Sequence, residues 1–108
     1  MNNRIEEIIQ MIQNDSSDPF LWYALALEYD KIGNKKEVED SFDRLLTHFP
    51  DYLPTYYQAA HFFWEKGNIE KAKAAFLKGI ELAEKAQDIK TAQELRNGYQ
   101  NFLIDIDD

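Results

Sequence analysis

Two histidines and a scatter of carboxylates are the groups in this chain with the means to do chemistry. His61 and Glu65 stand four residues apart. On a helix they share one face and could grip a metal edge-on, but a metal site needs three or four converging ligands. The other histidine, His48, lies near the end of the preceding helical segment. No metal and no other cofactor is expected. Glu37, Glu39, Asp40 and Asp43 read as a solvated helix face, whereas acid–base catalysis needs paired carboxylates in a pocket. Ser41 and Thr47 are lone hydroxyls on helical segments. Cysteine is absent, which excludes disulfides, thiolate zinc sites and a thiol nucleophile. There is no glycine-rich phosphate loop, GxSxG or HExxH pattern. The chain is expected not to be an enzyme. The chemistry left to His61 is recognition, with a pH dependence if a partner contacts it.

His61 sits inside the densest aromatic stretch of the sequence, YYQAAHFFWEKGN, residues 56–68. At about 100° per residue, Tyr56, Ala60 and Phe63 fall on one stripe of a helix. Ala59 and Phe62 flank that stripe, on the side expected to meet the preceding helix near Phe42 and Leu45. Tyr57, His61 and Trp64 make a second stripe at i, i+4 and i+7. The first stripe is core by its spacing; the second asks for a separate explanation.

The elements that must position these stripes are helices. Apolar residues recur at helical spacing along almost the whole chain, and no stretch alternates long enough to be a strand. Helices are predicted over about 3–14, 19–32, 35–48, 53–66, 69–86 and 89–105. Asp18 before Pro19 reads as an N-cap followed by proline at the first helical position. Gly33-Asn34 and Gly67-Asn68 read as helix stops, and an acidic tail runs from Asp105 to Asp108. The short connections make successive helices antiparallel neighbours. The fold class is all-α, six helices in one domain.

The chain has 108 residues, with 12 Lys and Arg against 20 Asp and Glu and a net charge of −8. That balance opposes nucleic-acid binding, which draws on a positive surface, and docking to an anionic membrane. It suits a neutral or basic protein or peptide partner, and equally serves solubility. No run of about 18 apolar residues could span a membrane, and the N-terminal apolar run, broken by Glu6, Glu7 and Gln10, is not a signal-peptide core. A soluble, cytoplasmic protein is expected.

Shifted by 34 residues, the chain overlays itself. Trp22 falls on Tyr56, Leu25 on Ala59, Ala26 on Ala60 and Tyr29 on Phe63. Gly33-Asn34 falls on Gly67-Asn68, Val38 on Ala72 and Phe42 on Phe76. A helix–turn–helix unit of this length and pattern, closed in its first copy by Pro50, resembles the tetratricopeptide repeat. The units are then an N-terminal helix over 1–18, repeat 1 over 19–52, repeat 2 over 53–86, and a C-terminal capping helix with the acidic tail over 87–108. Repeat 2 departs from the family at Glu84, where proline is expected, so its second helix should run on. It departs also at Gly79, where alanine is preferred. A glycine there costs about 1 kcal/mol of helix propensity unless it permits a close helix approach.

One repeat cannot bury its own apolar face, so the flanking helices must complete the stack. The isoleucines of the first helix should cover repeat 1, where Trp22 should be core. Ala92, Leu95, Tyr99, Phe102 and Leu103 of the last helix should cap repeat 2. The resemblance further implies that the second stripe lines a concave groove for a peptide or partner helix. The corresponding flank of repeat 1 carries Tyr23 and Leu27, with Phe20 at its start. The candidate contact set is therefore Phe20, Tyr23, Leu27, Tyr57, Gln58, His61 and Trp64. Aromatic anchors of this kind are enriched in binding hot spots. The family's best-known peptide mode clamps a C-terminal carboxylate with Lys, Arg and Asn, and these positions lack that basic set. Three occupants of the stripe remain open: an external partner, the capping helix folded over it, or a second copy of the chain in a homodimer.

Overall fold

A computed structural model describes residues 3–107. It contains six α-helices: α1 Asn3–Asn14, α2 Pro19–Lys31, α3 Lys35–His48, α4 Pro54–Lys66, α5 Ile69–Lys85 and α6 Ile89–Asp107. No strand occurs among the described residues. The predicted helices are all present, with ends shifted by a residue or two. Asp108 of the acidic tail lies outside the described residues, and Asp105 and Asp107 belong to the last turns of α6 rather than to a tail. The chain divides into two compact units, Met1–Tyr52 and Leu53–Asp108.

In the first unit, Asp18 caps α2 by accepting a bond from the Phe20 amide, and Pro19 opens the helix. Proline costs nothing there because its missing N–H has no intrahelical partner. Ile5, Ile8 and Ile12 bring one face of α1 onto α2 around Leu25, with Ile9, Leu21, Trp22, Ala24 and Tyr29 packed against the cluster. The α2–α3 hairpin closes over Ala26, which is fully buried, and over Val38, Phe42 and Leu45. Trp22 differs from expectation. It is only half-buried, its indole N–H donates to the Ser16 carbonyl at 3.1 Å, and the Arg44 guanidinium lies 4.5 Å over its ring. The polar edge of an indole is better satisfied at a rim than in a core.

In the second unit, α5 packs against both α4 and α6. Tyr56, Ala59, Ala60 and Phe63 of α4 are buried, as are Ala72, Ala75, Phe76, Gly79 and Ala83 of α5. Phe62 is half-buried. From α6 come Ala92, Leu95, Gly98 and Phe102. Tyr99 is half-buried, and Leu103 is not part of this face: it is 39% exposed. Helix α5 runs three residues longer than α3, 17 against 14, consistent with Glu84 standing where the family has proline.

The three turns that lead into α3, α5 and α6 share one design. Gly33, Gly67 and Gln87 take left-handed backbone angles, with φ of 75°, 85° and 57°. The next residue's N–H reaches back to the carbonyl five residues earlier: Asn34 to Tyr29, Asn68 to Phe63, and Asp88 to Ala83. This closes the preceding helix as a Schellman motif. The same residue then caps the following helix, Asn34 accepting from the Glu37 amide, Asn68 from Lys71, and Asp88 from Thr91. The asparagines read as helix stops are therefore also helix starts.

Candidate functional site

The second stripe of α4 meets α6. His61 packs between rings, its centroid 4.4 Å from Tyr57 and 5.5 Å from both Trp64 and Phe76. Trp64 stands edge-on to Phe102, with centroids 5.6 Å apart, and its indole N–H donates to the Asp105 carboxylate at 2.6 Å. Close approach is possible because α6 has Gly98 at this height. A methyl group added there would lie 2.9 Å from a Phe76 ring carbon and 3.3 Å from His61 Nε2. Gly79 of α5 plays the same part a layer away, where a methyl group would lie 2.7 Å from Tyr56 Cβ and 3.0 Å from a Leu95 methyl. The capping helix therefore lies over His61 and Trp64 within this unit.

His61 Nε2 is buried and finds no hydrogen-bond partner among the described residues. Burial holds the imidazole below its ordinary pKa, opposed by the nearby Glu65 carboxylate; a neutral ring is the form that suits this apolar seat. No cluster of three or more metal-ligating side chains stands together among the described residues.

Tyr57 and Gln58, at the start of the same flank, remain exposed. With Leu53 and Pro54 they line a cavity of about 420 Å³. Asp88, which caps α6, and Thr91 and Glu94 from its first two turns also line it. The Asp88 carboxylate accepts bonds from both the amide and the hydroxyl of Thr91, at 3.1 and 2.8 Å. The hydroxyl and amide bonds hold its carboxyl below the usual carboxylate range, with a smaller contribution from Lys90. In the first unit, Phe20 is 55% exposed in the opening turn of α2. Tyr23 and Leu27 are half-buried, and Tyr23 meets Tyr52 edge-on at 6.1 Å. The candidate residues thus divide into exposed ones, Phe20, Tyr57 and Gln58, and partly covered ones, Tyr23, Leu27, His61 and Trp64.

Sequence reasoning did not single out Asp88, Thr91, Glu94, Gly98 or Asp105. The signal for Asp88 was present but outside the 34-residue register: Gln87-Asp88 stands where the earlier turns have Gly-Asn.

The model of the tetratricopeptide repeat matches residues 53–86, the stretch that folds into α4 and α5. The chain is similar to a tetratricopeptide repeat domain protein from Salinibacter ruber, whose solution structure is 31% identical over 82% of this chain and 89% of that one, with a TM-score of 0.75. The chain belongs to the tetratricopeptide-repeat family. A crystal structure of a Salinibacter ruber tetratricopeptide repeat domain protein is similar at 30% identity, covering 79% of this chain and 96% of that one, with a TM-score of 0.75. A solution structure from Bordetella parapertussis shares the fold over 97% of this chain and 91% of that one, at 16% identity and a TM-score of 0.77. No curated protein gives a significant match.

Tetratricopeptide-repeat folds are generally protein-interaction modules and the family is generally non-catalytic. No helix among the described residues is long and apolar enough to cross a membrane.

Proposed function

We propose that this tetratricopeptide-repeat chain is a non-catalytic binding module that holds a peptide or partner helix against the face marked by Tyr57 and Gln58. The observation that carries this reading is the position of α6. It takes His61 and Trp64 as its own seat and leaves Tyr57, an aromatic ring 39% exposed, at the mouth of a cavity. An exposed aromatic beside a concave, partly apolar surface is the kind of place where hot-spot contacts form. His61 and Trp64 act here by positioning α6, whose first two turns line the cavity with Tyr57. Phe20, Tyr23 and Leu27 provide a second contact stripe on the first unit. The partner is neutral or basic, in keeping with the net charge of −8.

Selection from a displayed peptide library tests this, using the wild type and the Tyr57→Ala, Gln58→Ala double variant. Enriched peptides should bind the wild type and lose affinity for the variant, while both proteins melt at similar temperatures. Enriched peptides that bind both proteins equally would place the binding face elsewhere.

A second reading, self-association, is favoured by a different observation. Leu103 and Ile104, adjacent at the end of α6, are 39% and 66% exposed, apolar side chains on a helix that in repeat proteins normally presents a polar outer face. Sedimentation equilibrium decides it: a concentration-dependent mass abolished by Ile104→Glu supports a homodimer through α6.

A further inference from the structure

We infer that the cavity between the start of α4 and the first two turns of α6 receives an arginine side chain from the bound peptide. This rests on the reading of the Tyr57–Gln58 face as peptide-binding and adds to it the chemistry of the partner. The cavity volume, about 420 Å³, lies within the range of ligand sites. Its lining includes two carboxylates, Asp88 and Glu94, and no Lys or Arg. The other lining residues suit the rest of an arginine: Leu53 and Pro54 are apolar and can take the aliphatic stem, and Tyr57 is an aromatic ring of the kind that attracts a cation. Gln58 and Thr91 add hydrogen-bonding groups. A guanidinium presents planar donors that can reach two acceptors and stack at the same time, which a lysine ammonium cannot do.

Two nearby features oppose a cation, and both are met locally. The N-terminus of α6 carries partial positive charge, but Asp88 is its cap and compensates it. Glu94 lies beyond the first turn, where that field has decayed. Lys90 is close enough to act on Asp88, yet it is exposed and does not line the cavity. Asp88 uses one lone pair of each oxygen on Thr91, and a carboxylate has about four acceptor sites. It can therefore hold its capping bonds and a guanidinium together.

The test is an amide-resonance titration of the full 108-residue chain with the peptide acetyl-Leu-Arg-Leu-amide. The control is the same peptide with citrulline, which keeps the planar shape but removes the charge and replaces one donating nitrogen with a carbonyl oxygen. The arginine peptide should shift the amides of Tyr57, Gln58, Thr91 and Glu94 saturably, and the citrulline peptide should bind about tenfold more weakly, the scale of one charge-assisted contact. Asp88→Asn with Glu94→Gln should weaken the arginine peptide by a similar factor, and asparagine preserves the α6 cap. Equal binding of the two peptides at these amides would overturn the arginine inference and leave the peptide-binding reading standing. Arginine-peptide binding that survives the double variant, or shifts scattered over other acidic surfaces, would also overturn it. No shift at these amides with either peptide would overturn both.

Discussion

Replacing Gly79 with alanine and then leucine separates two accounts of why a glycine stands in the middle of α5. By helix propensity alone, alanine should stabilise by about 1 kcal/mol and leucine should be nearly as good. The structure predicts the opposite order. A methyl group at Gly79 would lie 2.7 Å from Tyr56 Cβ and 3.0 Å from a Leu95 methyl. Leu95 can adjust by rotation, but Tyr56 Cβ is fixed to the backbone of α4. Restoring ordinary carbon contact requires α4 and α5 to part by about 0.8 Å at their closest point. Tyr56, Ala75 and Leu95 are all buried around this point, so the separation loosens packing on both sides of α5. Overpacking of this kind costs about 1–3 kcal/mol, and an immovable neighbour puts it at the upper end. Net of the propensity gain, Gly79→Ala should destabilise by about 2 kcal/mol, lowering Tm by roughly 8–16 °C. Gly79→Leu should be worse. Thermal melts followed by far-ultraviolet circular dichroism give the order directly. A higher Tm for alanine, with leucine close to wild type, would refute the steric account and with it the close approach of α4, α5 and α6.

The other predictions concern the seat of α6 and the turn before it. His61 is held below its ordinary pKa of 6.5 by burial, against the opposing Glu65, so the unfolded chain binds a proton more readily than the folded one. Its share of stability is complete above about pH 6.5 and is lost as pH falls through the depressed folded value; His61→Leu should therefore lose less Tm than wild type between pH 7.5 and 5.5, and equal losses would refute this role. With Trp22→Phe leaving Trp64 as the sole indole, Asp105→Ala should increase acrylamide quenching by removing the bond to Trp64; unchanged quenching would mean that this bond does not hold the ring. Trp64→Ala should cost about 3 kcal/mol in urea denaturation, and an unchanged midpoint would contradict its place beneath α6. Gln87→Gly should stabilise by about 1 kcal/mol in the same assay, because Gln87 has φ of 57° and non-glycine residues pay for that conformation.

The helices were legible because the apolar spacing and the turn chemistry agree. Asp18-Pro19 caps and opens α2, and each Gly-Asn pair closes one helix and caps the next. The repeat register carried the core of α4 and α5, since positions 34 residues apart keep their apolar character. It could not carry α6, which has no counterpart at that spacing. The turn into it uses Gln87-Asp88, a pair whose local sequence does not demand a left-handed residue, yet the preceding helix is closed the same way. The misplacement of Leu103 has a related cause. The buried face of α6 runs through Ala92, Leu95, Gly98 and Phe102, and a glycine contributes no apolar signal to the pattern. With Gly98 left out of the stripe, Leu103 looked like its continuation.

Gly98 also explains why the aromatic stripe has two roles. Three rings at i, i+4 and i+7 on α4 would be equivalent if nothing covered them. Helix α6 approaches at Gly98, against His61 and Phe76, and is held further along by Asp105 on Trp64. At the other end the same helix starts with Asp88, which is turned to its own cap and to the cavity beside Tyr57. Covering the stripe and furnishing the cavity with Glu94 and Asp88 are therefore two consequences of one helix docking in one register. A Gly98→Ala substitution should disturb both together. Its methyl group would press on a Phe76 ring carbon at 2.9 Å, and the ring can yield only by shifting against its neighbours His61, Trp64, Tyr99 and Phe102. The expected cost is about 1–2 kcal/mol after the gain in helix propensity, with chemical-shift changes at Thr91 and Glu94 as well as at His61. Changes confined to the His61 neighbourhood would show that the start of α6 is positioned by its own turn, independently of the seat.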